Sequence, residues 1–118
     1  MKWLLALLLV AVCVVGFSPV MAQEMMCPGH EGNTIASLAE CVSHAASEGH
    51  ITNAGIAKSL LAKLNAAQSA LDRGQPSVAI NTLEAFIREV QAQAGKHIHL
   101  EHAGHMVEHA RRVIAALG

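Results

Sequence analysis

NAGIAKSLLAKLNAAQSALDRGQP, residues 53–76, decides the fold class. Ile56, Leu60, Leu64, Ala67 and Leu71 recur every three or four residues, the spacing that lines one face of an α-helix. Thr52 stands at the cap position, the helix runs from about Asn53 to Arg73, and Gly74 supplies the stop. Pro76 then opens a second helix, because a first-turn N–H has no helical partner to lose. That helix buries Ile80, Leu83, Phe86, Ile87 and Val90 and ends at Gly95.

The same grammar extends outward in both directions. Upstream, a helix from about Thr34 to Glu48 carries Ile35, Leu38, Ala39, Val42 and Ala46 on one face, with Asn33 as its cap, Cys41 beside that face and Gly49 as terminator. Downstream, a helix from about Leu100 to Leu117 aligns Ala103, Met106, Val107, Ala110, Val113, Ile114 and Leu117. Short connections force antiparallel neighbours, so the expected fold is all-α, an up-and-down bundle of four helices over residues 33–118. No strand pattern competes with it.

Residues 1–22 read as a cleavable signal peptide. Lys2 gives the positive start, Leu4 to Val15 the apolar run, and Val20 and Ala22 the small-residue exit. Of these 22 residues 18 are apolar, so the leader carries the excess hydrophobicity of the 118-residue chain. The apolar run falls short of the ~20 residues that span a bilayer, so export to a bacterial periplasm or the outside is expected, with no stable membrane insertion after cleavage. Residues 23–32 form an arm without periodicity.

Past the leader stand seven Lys or Arg against nine Asp or Glu, a net charge of −2, so no basic footprint exists for a phosphate backbone and nucleic acid is not an expected partner. Phe86 is the one aromatic residue of the Phe/Tyr/Trp kind there, which leaves no platform for sugars or bases. No Gly-rich phosphate loop, no His-Glu-x-x-His and no Cys-x-x-Cys-His occurs, and serines and carboxylates are scattered over polar faces. Catalysis is therefore not expected. Lys58, Lys63, Arg73, Arg111 and Arg112 read as solvated helix surface.

Two groups of residues carry chemistry. Cys27 and Cys41 are the cysteines beyond the leader, and in an oxidising compartment they are expected to form a disulfide that ties the arm to the first helix. The competing reading is metallic. Each cysteine precedes a histidine by three residues, so Cys27, His30, Cys41 and His44 offer the two thiolates and two imidazoles of a tetrahedral zinc site, and Met25 and Met26 add a Cu(I) flavour.

The second group is histidine-rich. His97, His99, His102, His105 and His109 fall close together, and His102, His105 and His109 share a stripe roughly 60° wide on the last helix, able to hold Zn2+ or Cu2+ or to stand as a solvated edge. The eight histidines would also move the net charge toward about +6 below pH 5.

Two stretches carry a family resemblance: Gly55 to Leu64 (GIAKSLLAKL) and Leu83 to Val90 (LEAFIREV), with Gly74 and Gly95 as helix stops. Over about residues 50–117 the chain resembles the FIMAH domain, a small all-helical module of secreted and cell-surface bacterial proteins. The resemblance implies an exported accessory or interaction role for an unknown protein or envelope partner, with no cofactor and no active residues to transfer. Two departures stand out: a cysteine-bearing helix in front, and the histidines of the last helix. The alternative function is a periplasmic zinc or copper binder that uses either histidine set.

Overall fold

A computed structural model describes residues 32–118, which fold into four helices: α1 (Ile35–Ser47), α2 (Ala54–Asp72), α3 (Pro76–Gln93) and α4 (Leu100–Leu117). The signal peptide, Cys27 and His30 lie outside the described residues. Each helix packs on two neighbours in cyclic order, α1 on α2, α2 on α3, α3 on α4 and α4 back on α1, which closes the bundle. The α2–α3 interface is the most extensive, and residues 73–75 make the shortest connection.

The helix boundaries fall within a residue or two of those expected, but two caps differ. Thr34, not Asn33, caps α1: its Oγ1 accepts from the Ser37 N–H at 3.1 Å while the Thr34 N–H donates to Ser37 Oγ at 3.4 Å. This reciprocal capping box needs a hydroxyl pair three residues apart, which Asn33 cannot form. Asn53, not Thr52, caps α2, accepting from Gly55 and Ile56 N–H at 2.8 and 3.2 Å. Thr52 is engaged elsewhere, its N–H donating to the His97 carbonyl at 2.8 Å.

Glycine ends α1 and α2 by one mechanism. Gly49 and Gly74 hold φ of 85° and 75°, a left-handed conformation costly to any residue with a Cβ. At α1, the Gly49 N–H donates to the Ala46 carbonyl and the His50 N–H to that of Ala45, closing a Schellman motif. Gly74 and Gln75 repeat it on Leu71 and Ala70.

The core is one cluster fed by all four helices. Leu38, Val42, Leu60, Leu64, Leu83, Phe86, Val90, Met106 and Val113 are fully buried, and alanines 45, 57, 67, 70, 79 and 110 fill the gaps between them. The buried faces are turned slightly from the expected ones. Ala45 and Cys41 are inside where Ala46 is only half-buried, and Ala57, Ala70 and Ala79 are buried while Ile56, Leu71, Ile80 and Ile87 sit at the rim. Hydrophobicity picks out large side chains, whereas helices approach most closely where the side chains are small. The expected solvated Lys63 also has a partner: its Nζ lies 2.9 Å from Glu89 Oε1, which also accepts from Ser59 Oγ at 2.9 Å, bracketing α2 to α3.

Candidate functional site

The two longer connections, residues 48–53 and 94–99, meet at one end of the bundle. Ile51 and Ile98 pair in antiparallel fashion; the Thr52 N–H donates to the His97 carbonyl at 2.8 Å and the His99 N–H to the His50 carbonyl at 2.9 Å. Extended chains alternate their side chains. With Ile51 and Ile98 buried under the bundle end, the flanking His50 and His99 are turned together to the other side. His102 follows His99 by three residues, one turn into α4, and so joins them.

The result is a cluster of three imidazoles. The Nδ1 atoms of His50 and His99 are 3.2 Å apart, and one potential ligand atom from each of His50, His99 and His102 lies within 4.8 Å of the other two. The rings of His50 and His102 stack with centroids 3.8 Å apart and planes 15° from parallel, and the His99 ring stands edge-on to His50. His102 Nδ1 is buried and hydrogen-bonds to nothing among the described residues. Desolvation, followed by the neighbouring His50, lowers the His102 pKa below its ordinary value; His105 and His99 add to the fall and Glu101 opposes it. The cluster favours a neutral, lone-pair-bearing imidazole at that position.

Gly49 delivers His50 to this cluster, because the His50 N–H is itself the outer bond of the Schellman motif. Gly49→Ala is expected to destabilise the bundle by about 1–2 kcal/mol, since the new Cβ must accept a left-handed backbone although open space surrounds it. Urea unfolding of the variant measures the loss.

The histidine stripe of α4 is not drawn together. His102 joins His50 and His99; His105 is half-buried along the cleft between α3 and α4, with Leu100, Gly104 and Gln91. His109 is 3% exposed, and its Nε2 donates to the Gly32 carbonyl at 2.7 Å and lies 3.0 Å from Ser37 Oγ. That carbonyl can only accept, so Nε2 carries the proton. His109 therefore fastens the start of α1 to α4. A stripe on a wheel shares a direction but not a height: seven residues separate His102 from His109 by roughly 10.5 Å along the axis, too far for one ion. His109→Ala is expected to cost about 2 kcal/mol, from the lost hydrogen bond and the cavity together, read by chemical denaturation.

Of the Cys-His set, Cys41 is 1% exposed on the inner side of α1 and His44 is exposed one turn further on. The remaining two members lie outside the described residues, so the set's convergence is not visible. His50 belongs to no helical stripe, although the sequence carries a signal for it. His50-Ile51 and Ile98-His99 are reversed dipeptides in two connections that an up-and-down bundle places at the same end.

No described helix is long and apolar enough to cross a membrane. Neither a curated protein nor a solved structure matches the chain. A profile of the FIMAH domain matches residues 35–115, a span that begins with the first residue of α1 and ends within the last turn of α4. The match covers more than half of the sequence and takes in every helix of the bundle: the chain belongs to the FIMAH domain family.

Proposed function

We propose that this protein is an exported, non-catalytic accessory module that works by engaging a protein or envelope partner, with the leader removed after Ala22 and a disulfide joining Cys27 to Cys41. The family match through all four helices carries this reading. The use made of the polar side chains supports it. Ser37 and Thr34 cap α1, Ser59, Lys63 and Glu89 bracket α2 to α3, and His109 holds Gly32, so these groups are spent on architecture. The staple is supported by the burial of Cys41 on the inner side of α1.

Two measurements test the reading. An intact mass of protein recovered from its own compartment should match cleavage after Ala22 less two hydrogens. For the partner, a photo-crosslinking residue is placed at Leu100 (70% exposed), at Val78 (45% exposed) or at the exposed polar position Lys58, in exporting cells. An adduct from one position that excess unlabelled protein suppresses is the expected result. Processed protein that forms no adduct from any of the three overturns the interaction reading.

A further inference from the structure

We propose that His50, His99 and His102 form a binding site for a single late first-row divalent ion, Zn2+ or Cu2+, held by three imidazoles with its remaining coordination open to water or an incoming donor. The inference goes beyond the accessory role and stands independently of it.

Four observations carry it. The first is spacing. Zinc–imidazole bonds of about 2.05 Å in tetrahedral array set ligand nitrogens about 3.3 Å apart, and the Nδ1 atoms of His50 and His99 are already 3.2 Å apart. The third imidazole has a ligand atom within 4.8 Å of both, so a shift on the order of 1.5 Å completes the set. The second is an unmet valence. A buried ring nitrogen without a partner forfeits its hydration, and among the described residues His102 Nδ1 is such an atom.

The third observation is that the supports are stiff. His50 follows a Schellman turn, His99 is tied by its own N–H to the His50 carbonyl, and His102 stands in the first turn of α4, so three separate backbone constraints converge on one point. The fourth is the chemistry of the donors. Three neutral imidazoles suit borderline ions and are poor ligands for Ca2+ or Mg2+, which take oxygen. Among the described residues no carboxylate or thiolate joins the cluster, so an ion held by the three imidazoles keeps its double charge and attracts an anionic or water ligand to the open side.

Such an ion would join the α1–α2 connection to the α3–α4 connection, the two places where the halves of the bundle meet at this end. Binding to the folded state alone raises stability by mass action, so melting temperature gives a second readout beside affinity.

The test uses tag-free, chelator-treated protein from which the leader has been removed, titrated with Zn2+ and with Cu2+ against a chromophoric competitor. One equivalent is expected, with affinity falling at least roughly tenfold in His50→Gln, His99→Gln and His102→Gln. His97→Gln and His105→Gln should stay within about twofold of the parent, and the metal-free melting curves of all five show whether each variant folds. Added zinc should shift the ring resonances of His50, His99 and His102 and raise the parent's melting temperature. Affinity unchanged by His50→Gln overturns the site, and a loss in His105→Gln as large as in His102→Gln transfers it to the α4 stripe and overturns it equally.

Discussion

Phe86→Ala is expected to destabilise the bundle by about 3–5 kcal/mol, the range for emptying a fully buried aromatic position. Phe86 has no exposure and is the largest of the fully buried side chains. Its surroundings make the loss hard to absorb. The core it belongs to is rich in alanine, which has no longer rotamer with which to refill a void, and close-packed interiors relax only in part. A domain of this size has a total stability of about 4–13 kcal/mol, so the substitution removes from about a quarter to all of it. Urea denaturation followed by circular dichroism measures the shift, and Phe86→Leu should recover most of the loss because it restores volume without the ring. If the alanine variant melts within a few degrees of the parent, the core is not organised around α3.

The helices were legible because each leaves a period of 3.6 and a stop residue in the sequence, and neither signal depends on what the helix later packs against. Gly49, Gly74 and Gly95 all take positive φ where the chain was expected to turn. The finer errors share a cause. Asn33 and Thr52 were good caps by type, but Ser37 made Thr34 the better one, and Thr52 was drawn into the pairing with His97. A cap is chosen by its neighbours in space.

The histidine cluster shows that limit more sharply. His50 and His99 lie 49 positions apart, and their contact exists because two connections lie edge to edge at one end of a closed bundle. A helical wheel applied to α4 alone grouped His102 with His109. It recorded the angle around the axis and lost the distance along it, as well as the identity of the element each side chain faces: the paired connections for His102, the start of α1 for His109.

Reduction of the proposed Cys27–Cys41 disulfide, or the double substitution Cys27→Ser with Cys41→Ser, is expected to lower stability by about 3 kcal/mol, the loop-entropy figure for a closed loop of about 15 residues. In a domain of this length that is a fall in melting temperature of roughly 12–24 °C. The loss should not be spread evenly. α1 is the shortest helix, and its contact with α4 is the smallest of the four interfaces, so amide exchange should quicken in residues 35–47 before it does in α2 and α3. The His109 hold on Gly32 would then be what still fixes the start of α1, and His109→Ala in the reduced protein should cost more than in the oxidised one. The same experiment divides the two metal readings. A site at His50, His99 and His102 uses no sulfur, so below the melting transition its zinc affinity should be unchanged by reduction. A site of Cys27, His30, Cys41 and His44 needs both thiolates and should gain zinc only when the disulfide is opened. Zinc uptake that appears on reduction and is lost with Cys41→Ser would therefore place the ion on α1, whereas uptake indifferent to redox state leaves it with the three histidines at the paired connections.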